Sequence, residues 1–144
     1  MQIDETDRRL LSALQANARQ PVADLARLLG LARTTVQARL ERLERSGVIR
    51  GYTLRLGAEA RPPLHATALV SIAPRAGPAV LARLRSLPAV RVVHTTSGRF
   101  DLLVQLAAQT TQELDETLDR IGEFQGVNSS ESLIHLSTKL DRTA

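Results

Sequence analysis

The 144-residue chain has no cysteine and no tryptophan, one tyrosine and two phenylalanines. Without cysteine there is no disulfide, no thiol nucleophile and no Cys-ligated zinc or iron–sulfur centre. The aromatics are too few to build a core, so Leu, Val, Ile and Ala must pack it; an apolar fraction of 43% is enough for that. No apolar run reaches the roughly 18 residues of a membrane-spanning helix. The stretch MQIDETDRR is polar and acidic, so no secretory signal is expected and the cytoplasm is the expected compartment. No Gly-rich phosphate loop, nucleophile elbow or paired-carboxylate signature occurs, and no enzyme is expected. His65, His94 and His135 lack HxH or HxxxH spacing, so they are expected in surface or hydrogen-bonded roles, with no metal.

What the chain does have is the stretch 22–50, VADLARLLGLARTTVQARLERLERSGVIR. Val22, Leu25, Ala26 and Leu29 form one apolar stripe, and Val36, Leu40 and Leu43 form a second, each at helical spacing. Gly30 falls where the first helix must stop and turn. The second helix opens with Arg33, Thr34 and Thr35 on its solvent side, followed by Gln37, Arg39, Arg42 and Arg45. Hydrogen-bonding side chains in a first turn with cations behind them suit a helix docked in the DNA major groove. Arg33, Thr34, Thr35 and Gln37 are therefore expected near bases, and Arg39 and Arg42 toward phosphates. An Arg-rich amphipathic helix is by itself more often a solvated surface helix than a recognition helix. Arg39 is equally placed to pair within the protein, with Glu41-side neighbours or the preceding helix. The ordered unit of helix, helix, Gly turn, helix and closing Ser46-Gly47-Val48-Ile49 is what points to a helix-turn-helix.

Formal net charge is +4, and 18 of the 19 basic residues are Arg. Residues 1–60 hold 10 basic and 7 acidic residues, against 9 and 8 in residues 61–144. The positive excess lies mostly where DNA contact is expected. It is small, which implies few phosphate contacts per subunit and tight binding only as a dimer or larger assembly.

A first helix begins after Asp4, with Asp7 three residues on as a capping box and Leu10, Leu11 and Leu14 on its buried face. The next starts near Pro21, and residues 48–56 read as an extended strand. Three stretches of sequence result: 1–50 helical and DNA-binding, 51–63 a β-strand linker rich in breakers, and 64–144 a second domain. In the last, strands are expected at 65–73, 90–96, 102–107 and 130–136. Helices are expected from Gly77-Pro78 to Pro88 and from a Thr110–Glu113 capping box to Gly126. The fold class is α+β: an N-terminal three-helix helix-turn-helix domain plus a C-terminal βαββαβ ferredoxin-like domain. One face of its sheet would stay bare in a monomer, and a homo-oligomer would cover it.

Ile3-Asp4, Asp7, Leu10-Leu11, Leu25-Ala26 and Gly30-Leu31 carry a resemblance, as do 39–44 (RLERLE), Gly47-Val48-Ile49 and Gly51-Tyr52. His94, Ser97-Gly98, Phe100-Asp101 and Gly126-Val127 extend it through the second half. In this joint order the chain resembles the bacterial and archaeal Lrp/AsnC transcription regulators. The resemblance implies a winged helix-turn-helix domain joined by a β-linker to an amino-acid-binding regulatory domain, dimers that assemble further, often to octamers, and an amino-acid effector held between subunits near a Gly-x-x-Asp turn. On that basis Ser97, Gly98, Arg99, Phe100 and Asp101 would form the effector loop, with Asp101 accepting from the ligand's ammonium group. Backbone N–H groups would hold its carboxylate, and Ser132 would add a hydroxyl. An Asp at this place in a turn also serves to stabilise the turn itself. Pro21 and Ala32 stand where the family usually has serine caps, with Thr34 a candidate substitute. Arg99 either selects an acidic ligand or occupies the site itself. No cofactor beyond such an effector is expected, and the partners are double-stranded DNA and further copies of the chain. Two alternatives stand beside this regulator: an architectural DNA-wrapping protein without effector, and an enzyme or amino-acid carrier built on the βαββαβ domain.

Overall fold

Leu10, Leu25, Val36 and Leu43, one or two from each of three helices, meet with 0–1% of their surface exposed and found the first of two compact units. The computed structural model describes residues 2–143. Its first unit runs to Arg55 and its second spans Leu56–Arg142. Each buried Leu or Val contributes about 1.5–3 kcal/mol.

Helix α1 (Glu5–Ala16) is started by the expected box: the Asp4 carboxylate accepts from Asp7 N at 2.8 Å, and the Asp7 carboxylate accepts from Asp4 N at 3.2 Å. Pro21 serves as N-cap of α2 (Val22–Leu29) rather than as its first helical residue, and offers no side-chain bond. Gly30 follows at φ +68°, a left-handed conformation that costs other residues energy. The turn is closed by Leu31 N donating to Ala26 O at 3.0 Å. Helix α3 (Arg33–Arg45) begins at Ala32, again with no side-chain cap; Thr34 does not stand in for the missing serine.

The strand expected at 48–56, and with it the β-strand linker at 51–63 and any wing, does not form within this chain. Among the described residues the only regular element there is a 3-10 turn at Ala58–Ala60. A strand needs a neighbour to satisfy its backbone groups, and this segment pairs with none of the strands of its own chain.

The second unit follows the expected order: β1 (Leu64–Ile72), α4 (Gly77–Arg85), β2 (Val90–Thr95), β3 (Leu102–Ala108), α5 (Thr111–Glu123) and β4 (Val127–Ile134). The sheet order is β2-β3-β1-β4, antiparallel throughout. Alternation splits each strand between two faces. Ala66, Ala68 and Val70 of β1 pack with Leu102, Val104 and Leu106 of β3 against Val80, Leu84, Leu114 and Ile121 of the helices. The opposite face is uncovered by any element of this unit and leaves Leu133 and Val92 exposed. Boundaries differ from expectation: β4 runs Val127–Ile134 rather than 130–136, and α4 already ends at Arg85, ahead of Pro88. The Thr110 hydroxyl accepts from Glu113 N, but the Glu113 carboxylate returns to Gln109 N instead of Thr110 N, so the box is not reciprocal. Helix α5 stops at Glu123, capped by Phe124 ahead of Gly126.

Candidate functional site

In the first unit, burial of Val36, Leu40 and Leu43 turns the opposite arc of α3 outward. Thr34 and Ala38 lie on that arc, flanked on one side by Arg33 and Gln37 and on the other by Thr35, Arg39 and Arg42. Thr34, Thr35, Ala38, Arg39 and Arg42 line a shallow hollow of about 410 Å³. Among the described residues Arg33, Thr34 and Thr35 make no side-chain hydrogen bond or ion pair, and Gln37 only donates to Glu41 at 3.3 Å. The helix therefore presents a first turn of free donors and acceptors beside small side chains.

Arg39 and Arg42 are engaged differently from expectation. Arg39 Nη1 donates to both Asp4 oxygens at 2.8 and 2.9 Å and to Asp7 Oδ1 at 2.9 Å. Arg42 Nη2 donates to Asp7 Oδ2 at 2.8 Å. The partners are carboxylates of α1, not Glu41-side neighbours or α2. The Asp7 side chain is 0% exposed, against 26% for Arg39 and 49% for Arg42. Arg39 holds the Asp4 carboxyl below its ordinary value, helped by the Asp7 N–H. In turn Asp4 and then Asp7 raise the Arg39 guanidinium. Asp7 was legible as a cap but not as the centre of this cluster. The available signal was its spacing: Asp7, Leu10 and Leu14 share the buried stripe of α1, so a carboxylate sits where only an apolar or a paired residue is tolerated.

The second unit brings 97–101 together as the turn between β2 and β3. Gly98 takes φ +102° with no heavy atom within 4 Å of where a side chain would begin, so the surface over it is open to close approach. Asp101 O accepts from Thr96 N, and its N–H donates to Val70 O, both at 2.9 Å. Asp101 Oδ2 accepts from Ile72 N at 2.8 Å. Its Oδ1 has no protein partner among the described residues. The carboxylate thus fixes the turn with one oxygen and presents the other. Phe100 O accepts from the Thr96 hydroxyl at 2.6 Å, and Arg99 O accepts from the Ser71 hydroxyl at 3.3 Å. The Arg99 guanidinium lies 4.9 Å from the Phe100 ring centre and 3.7 Å from Glu131.

Ser132 is not gathered with this turn. It pairs with Ala68 of the core, which puts its side chain on the helix side of the sheet. Its neighbour Glu131, absent from the expected set, is the β4 residue that meets Arg99. The histidines lie at the surface, as expected, and two of them meet. The His65 and His135 rings stack with centroids 6.4 Å apart, and His135 Nε2 lies 2.8 Å from the Thr67 hydroxyl. Among the described residues no group of three His, Cys, Asp or Glu could hold a metal ion. No helix among them is long and apolar enough to cross a membrane.

Comparison with known proteins covers both units. The sequence model of the AsnC-type helix-turn-helix domain matches residues 3–44, and that of the Lrp/AsnC ligand binding domain matches residues 65–144. The HTH-type transcriptional regulator FL11 of Pyrococcus abyssi is 32% identical, with 98% of this chain and 94% of that protein aligned. The solved structure of Escherichia coli AsnC is 26% identical, with a TM-score of 0.90 over 100% of this chain and 99% of its own. A transcriptional regulator from Neisseria meningitidis, solved as its L-Met complex, is 28% identical with a TM-score of 0.86 over 97% of this chain and 94% of its own.

Proposed function

The chain belongs to the Lrp/AsnC family of transcriptional regulators, and from that footing we propose that it reads specific DNA sites through the first turn of α3. An amino-acid-like effector at the 97–101 turn modulates that binding. The observation that carries the DNA reading is the outward, unpartnered trio Arg33, Thr34 and Thr35, with Gln37 beside it. Each good base contact from such side chains discriminates by about 1–3 kcal/mol. The effector reading is supported by the open surface over Gly98 and the free Oδ1 of Asp101, an acceptor suited to an ammonium group. Arg99 is already faced by Glu131, so the turn carries no net uncompensated cation and suits a ligand with a neutral side chain. The bare sheet face is covered by a second copy, and one chain carries too little positive charge to hold DNA tightly alone.

Fluorescence anisotropy tests both parts. Duplex DNA from upstream of the chain's own gene is compared with random duplex at matched salt, with and without L-methionine and the other common amino acids. A preference of about 100-fold or more for the upstream duplex is expected, in the range of specific readout. At least one amino acid should shift it, and Asp101→Ala should lose that shift while retaining DNA binding. Equal affinity for both duplexes would favour the architectural alternative. An effector response that survives Asp101→Ala would remove Asp101 from the site.

A further inference from the structure

The four side chains Asp4, Asp7, Arg39 and Arg42 form one closed ionic cluster between α1 and α3, with two positive and two negative charges. Its centre is the fully buried Asp7, both of whose oxygens accept a guanidinium while Oδ2 also accepts from Asp4 N. A buried carboxylate is tolerated only when paired, and removing a partner leaves a desolvated charge. Arg39 uses a single terminal nitrogen on three carboxylate oxygens and is only 26% exposed. Around α3 the cations without a carboxylate partner lie elsewhere, at Arg33 in the first turn and at Arg45, which donates to Glu41 O.

We infer that Arg39 and Arg42 are positioning residues: they lock the recognition helix α3 onto α1 through Asp7, and the phosphate grip of α3 belongs to other cations, Arg33 first. The cluster is neutral, so it adds little to the attraction for a polyanion. Its effect on DNA binding is to hold the tilt and rotation at which Thr34, Thr35 and Gln37 face the groove. Cations on the recognition helix thus divide between a clamp and a contact set, although the sequence writes them alike.

This inference rests on the DNA-binding reading, and the test separates the two. Binding of the full chain to random duplex DNA is measured over a range of salt, together with thermal melting of the free protein. Each phosphate contact contributes about 0.9 to the slope of log affinity against log salt. Arg39→Gln and Arg42→Gln are expected to keep the wild-type slope and to melt about 5 °C or more lower. Arg33→Gln is expected to lose about one unit of slope per subunit with its melting unchanged. Asp7→Asn combined with Arg42→Gln should melt no lower than Asp7→Asn alone, because one interaction is lost once; should Asp7→Asn fail to fold, the two arginine variants decide. A slope reduced by about one unit in Arg39→Gln or Arg42→Gln would return that residue to the phosphate contacts. Unchanged melting in both variants would overturn the clamp. A wild-type chain that binds no DNA would defeat the DNA reading, with the melting arm still deciding whether the cluster locks α3.

Discussion

Asp4 and Asp7 belong to one capping box and to one ion cluster, yet they differ in the measurement each permits. Asp4 is exposed, and Arg39 holds its carboxyl below the ordinary value of 3.8. A carboxylate with a lowered folded-state value stabilises the fold above its unfolded value and loses that contribution as pH falls through the folded one. Asn caps a helix about as well as Asp, so Asp4→Asn removes the charge and leaves the cap. Its melting temperature should lie below wild type at neutral pH, and the gap should close as pH falls below about 3.8. A gap independent of pH would show that the Asp4–Arg39 pair adds nothing through charge. At this scale the sequence was partly legible. Residue type and spacing placed Thr34, Thr35 and Gln37 on the outward side of α3. They could not show that two of its arginines were taken by α1, because a pair separated by 32 or 35 positions leaves no local pattern.

Among the elements, helices were read where their apolar stripes repeat and stops where glycine or proline interrupts them. The α5 cap was misread because a Glu three residues after a Thr can return to either of two neighbouring N–H groups, and here Gln109 N receives it. The segment 48–56 was misread for a different reason. Its alternation of apolar residues is real, with Tyr52, Leu54 and Leu56 exposed, but alternation specifies a strand only where a partner exists. Helix α3 offers the clearest intervention. Ala32 already has the extended backbone of an N-cap, φ −69° and ψ 150°, and lacks only a side-chain acceptor. Ala32→Ser should therefore stabilise the first unit by about 1 kcal/mol, read as an upward shift in melting of several degrees. No shift would mean that the first-turn N–H groups are already satisfied by water at equal free energy.

At the scale of the whole molecule, two units with separate cores divide the work. One carries the helix proposed to read DNA, and the other carries the turn proposed for a small ligand and a sheet face that its own elements leave uncovered. The βαββαβ order was legible because period-2 and period-3.6 stretches alternate between clear breakers. The place of Ser132 was not, since its side of the sheet depends on a register with Ala68 that sequence does not state. A dimer of such chains presents two copies of α3, so the sites it reads should come in pairs. The measurement that tests this account most directly is selection of bound duplexes from a random-sequence pool by the full chain at moderate salt. The account predicts enrichment of a two-part motif whose halves lie about 10 bp or a multiple of it apart. Thr34→Ala and Gln37→Ala should blur that motif without changing its spacing. A bound pool as random as the starting one would contradict sequence-specific reading by α3.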